Sequence, residues 1–180
     1  MESSIPVRKT RQLWRGRNSE PYARYFITIC LKDRSQSLLT STVPSKLFDQ
    51  LEFQQHEGDF ELHCGTVMTD HLHVMFRLRN RLSIGQTIAK FKAKTKLLAS
   101  WQRDFYEHQI RPDESEEDYA FYVFMNPYVG ELCALNEEWP WWKRWRSISY
   151  EFEEMMGDSR SIPTSWIKRE KELEIRVKRD

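Results

Sequence analysis

The chain has 180 residues, 39% of them apolar and 13% aromatic, which is enough to bury one sizeable core. No apolar run approaches the roughly 18 to 20 residues of a membrane-spanning helix, and the first residues lack the apolar segment of an export signal. The three cysteines are scattered among apolar residues, a pattern typical of reduced thiols. These features argue against a membrane protein or a disulfide scaffold, and we expect one compact cytoplasmic fold.

Charge is divided unevenly along the chain, although the net charge is only +1. Residues 1–111 carry 18 Lys and Arg against 11 Asp and Glu, whereas residues 112–180 carry 10 against 16. The basic residues concentrate in an N-terminal arm, residues 1–22, and in the run from Lys90 to Lys96. Both could bind nucleic-acid phosphates, although an ordinary solvated surface is often as strongly charged.

The first half of the chain alternates between strand and helix patterns. Residues 23–31 are rich in β-branched and aromatic side chains, which predicts a strand. Apolar residues then recur at helical spacing from Pro44 up to Gly58, which predicts a helix with proline near its first turn. Residues 60–68 and 72–78 are alternating apolar runs joined by a short polar link, which predicts an antiparallel hairpin.

The second half continues the alternation. From Ser83, a plausible N-cap, apolar residues recur near helical spacing as far as Trp101, which predicts a long basic helix. Residues 101–110 can return as a strand. The acidic cluster at residues 113–118 suits the positive end of a further helix, which should stop before Pro127. Residues 146–180 are predicted to form a charged C-terminal extension.

The predicted order of elements is strand, helix, two strands, helix, strand and helix. This order predicts an α+β fold of the ferredoxin-like kind, an antiparallel sheet with helices packed on one side. We assign residues 23–145 to this domain.

A histidine pair opens the second strand of the predicted hairpin. Side chains alternate between the two faces of a strand, so His71 and His73 point the same way while Leu72 points to the other face. Two imidazoles on one face can bind a metal ion. Alone, the triplet is a weak signal, because such spacing arises by chance and surface histidines are more often partnered than ligating.

A tyrosine and an asparagine lie one turn apart on the last predicted helix. Tyr122 and Asn126 are separated by four residues and therefore share a face. The asparagine offers a carbonyl oxygen, a ligand that Mg²⁺ or Mn²⁺ accepts, close to a phenol that could attack a phosphodiester. The alternative is that Tyr122 is a core residue and Asn126 caps the helix before Pro127.

Four short blocks, in the same order, resemble the REP-associated tyrosine transposases. Residues 65–76 are similar to the HUH signature, in which a hydrophobic residue separates two histidines, and residues 121–127 resemble the tyrosine helix with its Asn-Pro. Residues 13–17 and 25–28 are similar to the opening of these proteins. The likeness spans roughly residues 13–142.

The resemblance implies a DNA transposase of the HUH endonuclease type. It implies Tyr122 as the nucleophile and His71, His73 and Asn126 as ligands of Mg²⁺ or Mn²⁺. It also implies single-stranded or hairpin DNA, such as a REP-like element, as the substrate, and therefore a nucleoid-associated protein. We expect a monomer, with a homodimer as the alternative. DNA phosphates would be bound by the basic residues Arg11, Arg15, Arg17, Lys90 and Lys94.

Two positions depart from the family pattern. Residues 128–131 stand where the family has Val-Arg-Ala-Gly, so one basic residue is missing. Asp70 stands where an asparagine is common before the first histidine. Neither change removes a proposed ligand.

Two alternative functions are compatible with the same residues. One is a hairpin-specific DNA-binding protein of this fold that does not cleave. The other is a zinc-stabilised interaction domain built on His63, the histidine pair and a cysteine, which is weakened because no paired Cys-x-x-Cys spacing occurs.

Overall fold

The computed structural model describes residues 19–157 and 161–173. The arm residues Arg11, Arg15 and Arg17, predicted to bind DNA, lie outside these ranges. In the two described ranges, no helix is both long and apolar enough to cross a membrane.

Five antiparallel strands form one sheet in the order β4-β1-β3-β2-β5. The strands are β1 (Arg24–Cys30), β2 (Phe60–Val67), β3 (His71–Leu78), β4 (Tyr106–Ile110) and β5 (Trp142–Arg144). The hairpin predicted from residues 60–78 is therefore confirmed, and His71 is the first residue of its second strand. This hairpin forms the centre of the sheet, so the histidines lie on a strand that is paired on both sides.

Two amphipathic helices cover one face of the sheet. They are α1 (Val43–His56) and α2 (Ile84–Lys94). Ser83 caps α2 as predicted, because its hydroxyl accepts a hydrogen bond from the Gln86 backbone N–H while the Gln86 side chain accepts one from the Ser83 N–H. This core gathers apolar side chains from both helices and from alternate strand positions, among them Ile27, Leu47, Val74, Phe76, Ile88 and Phe91.

A third helix, α3 (Glu116–Val129), lies on the opposite face. The predicted α+β class is confirmed, but the helices occupy both faces rather than one. The reason is that α3 is apolar on every side and buries all residues from Tyr119 to Tyr128. Its far side is covered by α4 (Glu151–Met156) and α5 (Ser165–Glu172), which contribute Phe152 and Trp166.

Three predicted boundaries differ from the observed ones. The basic helix ends at Lys94 rather than near Trp101, because the following turn folds back and the Trp101 indole N–H donates to the Thr95 hydroxyl. The strand expected over residues 101–110 begins only at Tyr106. Pro127 does not end α3; the helix continues because Tyr128 is buried and donates its hydroxyl to the Glu137 carbonyl.

Gly65 on β2 is required by close packing. A Cβ at this position would lie 2.8 Å from the His73 carbonyl oxygen and 3.3 Å from the Trp145 ring. We expect Gly65→Ala to lower the free energy of unfolding by about 1–3 kcal/mol, measured by urea denaturation. Gly85→Ala is the control, since a Cβ there meets nothing closer than 4.0 Å and alanine favours a helix by about 0.5–1 kcal/mol. Equal effects at the two glycines would contradict this interpretation.

Candidate catalytic centre

One row of side chains crosses all five strands on the face that α3 covers. Its order, set by the strand register, is Tyr106, Thr28, His73, Thr66 and Trp142. His73 lies at its centre and is almost completely buried. Because paired residues on adjacent strands point to the same face, this register brings together side chains that are far apart in sequence.

The two histidine side chains converge through their Nε2 atoms, which are 3.0 Å apart. Each ring is held through its other nitrogen: His71 Nδ1 lies 2.6 Å from the Asp70 carboxylate, and His73 Nδ1 lies 2.9 Å from the Thr28 hydroxyl. The hydrogen bond from His71 holds the pKa of Asp70 below its ordinary value, although burial opposes the shift. Because Nδ1 of each ring faces an oxygen partner, Nε2 of each ring faces the other histidine, and Nε2 is the nitrogen that would bind a metal ion.

The donor set fits a cation. The two Nε2 atoms are 3.0 Å apart, close enough for both to bind one divalent ion at a metal–nitrogen distance of about 2.1 Å. Within residues 19–157 and 161–173, no three His, Cys, Asp or Glu side chains form a metal-binding group.

Glu116 anchors the N-terminus of α3 to the sheet. Its carboxylate lies 2.7 Å from His63 Nδ1, 2.9 Å from Arg24 Nη1 and 3.0 Å from Arg146 Nη1. Burial opposes ionisation, but these partners lower the pKa of Glu116 to about 2. His63 reaches this carboxylate because a register shift between Leu62 and Cys64 interrupts regular alternation in β2. His63 therefore has a structural partner at the base of α3.

From this anchor, α3 runs in the same direction as β2. Its far end lies against the end of that strand, since a Cβ on Gly130 would be 3.7 Å from the Met68 methyl group. The helix therefore places Tyr122 above the row of side chains that is centred on His73, and the ring centroids of Tyr122 and His73 are 5.7 Å apart. Asn126, one turn further on, is buried and its Nδ2 donates to the Tyr122 carbonyl at 2.9 Å.

Comparison with known proteins shows the family to which the chain belongs. Residues 21–115 match the family model described as "Transposase IS200 like", which is more than half of the chain. The chain belongs to the IS200-like transposase family. A putative REP-associated tyrosine transposase of Haemophilus influenzae is 25% identical over 146 residues, covering 71% of this chain and 82% of that protein. A solved REP-associated tyrosine transposase bound to a REP hairpin matches with a TM-score of 0.56 and 25% identity, covering 70% of this chain and 79% of that one.

The predicted lysine contacts of this transposase lie away from the histidines. Lys90 and Lys94 are on α2, which packs against the other face of the sheet. Lys90 pairs at 2.5 Å with Asp59, a carboxylate with no exposed surface. The structure therefore does not bring these lysines to the row, and it gives Lys90 a role in packing.

Two residues beside the histidines were not predicted as part of the site. Thr28 is 45 positions before His73 in sequence, and only the strand register brings them together. Asp70 was noted as a departure from the family pattern, but its hydrogen bond to His71 was not foreseen. A carboxylate directly before a histidine could have served as a signal, because such a pair can orient an imidazole.

Thr28 and Thr66 provide a matched test of ring orientation. Both flank His73 in the row, but Thr28 hydrogen-bonds the ring, whereas the Thr66 hydroxyl has no hydrogen-bond partner among the described residues. We expect Thr28→Val to weaken Mn²⁺ binding about 10- to 100-fold in isothermal titration calorimetry, because the ring loses its orienting partner. Thr66→Val should leave the affinity unchanged. Similar losses in both variants would argue against the orienting role.

The charge on Glu116 should make stability depend on acid pH. The pKa of Glu116 falls from an ordinary 4.5 to about 2 in the folded chain. The contribution of its charge to the free energy of unfolding is therefore complete above about pH 4.5 and is lost as the pH falls toward 2. We expect Glu116→Gln to lower the free energy of unfolding by about 2–3 kcal/mol at pH 7.

Denaturant unfolding at several pH values measures the effect of Glu116→Gln. The difference in the free energy of unfolding between this variant and the native sequence should shrink as the pH approaches 2. Glu61→Gln is the control, since Glu61 forms a half-exposed pair with Arg79 worth about 0–1 kcal/mol. A Glu116→Gln loss that stays constant down to pH 2 would rule out ionisation as its cause.

Proposed function

We propose that this transposase cuts and rejoins single-stranded or hairpin DNA through a covalent bond to Tyr122. The observation that carries the proposal is the position of Tyr122 against His73, beside two convergent Nε2 atoms. The solved relative bound to a REP hairpin supports a hairpin of the REP type as the DNA.

His71, His73 and Asn126 would hold the divalent ion, Mg²⁺ or Mn²⁺. The two imidazoles are already oriented by Asp70 and Thr28. The Nδ2 atom of Asn126 donates to the Tyr122 carbonyl, and its amide oxygen is the proposed ligand atom. When bound, such an ion polarises a phosphodiester and stabilises its developing negative charge.

Tyr122 attacks the scissile phosphorus in the proposed reaction. The Tyr122 oxygen forms a bond to phosphorus, the bond from phosphorus to the 3′ oxygen breaks, and the products are a 5′-phosphotyrosine and a 3′-hydroxyl. The proton lost by Tyr122 is balanced by the one gained at the 3′ oxygen. A second 3′-hydroxyl can then displace Tyr122, because the intermediate conserves a phosphodiester bond.

In the proposed enzyme one chain would contribute the whole catalytic centre, since α3 packs over its own sheet. This arrangement supports a monomer as the active form. Arg11, Arg15 and Arg17 of the arm stay our candidates for phosphate contacts, whereas the position of Lys90 and Lys94 on the other face makes them weaker candidates for the scissile strand. Acting on chromosomal DNA, the protein would work in the cytoplasm at the nucleoid.

Formation of the covalent intermediate tests the proposal. The protein is incubated with Mn²⁺ or Mg²⁺ and an end-labelled REP hairpin with single-stranded flanks, and a protein–DNA adduct is sought on a denaturing gel. We expect an adduct that requires the metal and disappears in Tyr122→Phe. Tyr119→Phe is the matched control on the same helix and should retain the adduct.

The non-cleaving alternative gives a different result. Tight hairpin binding by the native sequence without an adduct under any metal condition would show a DNA-binding protein that has lost cleavage. If the adduct persisted in Tyr122→Phe but disappeared in Tyr119→Phe, the nucleophile would be Tyr119 and the proposed role of Tyr122 would be wrong.

A further inference from the structure

The helix that carries Tyr122 brings no basic side chain to the site. From residue 112 to residue 142, a stretch that contains all of α3, the chain has no Lys or Arg. Three arginines on this side of the sheet each lie within 3.0 Å of a carboxylate oxygen: Arg24, Arg144 and Arg146. These three have close ion-pair partners, so a cation that meets DNA beside the histidines has to be sought elsewhere.

Arg34 belongs to a segment that is fixed beside the histidine pair. The segment follows β1 and is joined to the turn between β2 and β3 by two backbone hydrogen bonds. The Leu31 N–H donates to the Asp70 carbonyl at 2.8 Å. The Leu38 N–H donates to the Thr69 carbonyl at 2.7 Å. Because Asp70 directly precedes the first histidine, both ends of the segment are held next to the proposed metal ligands.

The Arg34 guanidinium is linked to His71 through one carboxylate. Its Nε lies 3.7 Å from one oxygen of Asp70, whose other oxygen lies 2.6 Å from His71 Nδ1. Its Nη2 donates at 3.8 Å to the thiol of Cys30, the residue that is paired with His71 across the strands. Two contacts therefore place the positive charge at the Nδ1 edge of the His71 ring, away from the Nε2 atom that faces His73.

These contacts leave the guanidinium able to bind a stronger acceptor. The 3.7 Å separation from Asp70 exceeds the about 2.7–2.9 Å of a charge-assisted hydrogen bond, and a thiol is a weak acceptor. In the part of the chain that the structure describes, Arg34 has no other partner. Its side chain is 40% exposed, so a ligand can reach it from solvent. A guanidinium with open N–H groups is suited to phosphate.

The position of Arg34 suits a second phosphate rather than the one at the ion. The two nitrogens of the His71 ring lie on different edges, with the proposed ion at Nε2 and the guanidinium on the side of Nδ1. The Asp70 carboxylate lies between the two positive charges and reduces their repulsion. A strand whose scissile phosphate is held at the histidines can therefore present its neighbouring phosphate to Arg34.

We infer that Arg34 binds the backbone phosphate next to the scissile one in the same single strand. The inference rests on the proposed function for its DNA and adds a positioning contact to it. The ion and the guanidinium then hold two neighbouring phosphates, which fixes the register of the strand across the histidine pair. No bond or proton changes at Arg34.

Removing this charge should weaken DNA binding even without a metal ion. We expect Arg34→Gln to raise the Kd of a REP hairpin with single-stranded flanks about tenfold in EDTA, measured by fluorescence anisotropy. The slope of log affinity against log salt should fall in magnitude by about 0.7, the value for one phosphate contact to a single strand. A hairpin without flanks should bind the variant and the native sequence equally.

Arg79→Gln is the matched control. Arg79 is 46% exposed and also pairs with a carboxylate, that of Glu61 at 3.0 Å. It follows the last residue of β3, at the opposite end of the strand that His71 begins. Its substitution should change neither the Kd nor the salt slope. Equal losses in Arg34→Gln and Arg79→Gln would show a general effect of surface charge and would overturn the inference.

Uncharged linkages identify the phosphate. Methylphosphonate groups are placed one at a time in the single-stranded flanks, and each removes one negative charge. At one position next to the cleaved bond, the substitution should weaken binding of the native sequence about tenfold and leave the Kd of Arg34→Gln unchanged, because the contact is already absent. Equal penalties in the two proteins at every position would mean that Arg34 contacts no phosphate.

Metal binding separates a phosphate contact from a purely structural role. If Arg34 served only to hold Asp70, and through it His71, Arg34→Gln would weaken Mn²⁺ binding, and the inference would be wrong. We expect the Mn²⁺ affinity in isothermal titration calorimetry to change less than about twofold, because an exposed ion pair contributes little to the position of Asp70.

The proposed function and this inference fail in different experiments. If the native sequence forms no covalent adduct but one methylphosphonate position still depends on Arg34, cleavage is wrong and the phosphate contact stands. If the adduct forms and Arg34→Gln binds the flanked hairpin with the native Kd, the contact is wrong and the proposed function stands.

Discussion

The structure of the site depends on the ionised carboxylate of Glu116. Its bonds to His63, Arg24 and Arg146 join the first turn of α3 to β1, β2 and the segment after β5. Because α3 is apolar on every side, hydrophobicity alone does not select which side of the helix meets the sheet. The charged Glu116, with its three directional partners, selects one orientation of the helix. In that orientation the Tyr122 ring lies against His73 rather than against Phe152 on the side of α3 that faces away from the sheet.

Alternation along the strands separates this polar site from the larger core. Odd and even positions of β3 point to opposite faces, so Leu72 and Val74 pack beneath α1 and α2 while the histidines face α3. The same constraint places one hydroxyl on each side of His73, at Thr28 and Thr66. Only the first bonds the ring, so Thr66 is a buried hydroxyl that the described residues leave without a partner, an arrangement with a free-energy cost of about 1–3 kcal/mol.

The sequence predicted the relations between site residues that are close along the chain better than the relations between residues that only long-range packing brings together. The shared face of His71 and His73 followed from strand alternation, and that of Tyr122 and Asn126 followed from the helical repeat, since both relations lie within a few residues. Their association across the chain came only from the family resemblance. Thr28 and Tyr106 could not be found in the sequence, because they join the row through a register between distant strands. The ion pair of Lys90 could not be foreseen for a related reason: its buried partner Asp59 is remote in sequence.

Aromatic packing accounts for the position of Tyr122, the nucleophile of the proposed reaction. Tyr122 is held through its ring, by Phe26 and His73, so its position does not require a hydrogen bond to its oxygen. Ring contacts of this kind are retained when the oxygen changes from phenol to phosphodiester, so the same packing can position Tyr122 in cleavage and in rejoining. The same ring contacts are therefore compatible with both directions of the proposed reaction.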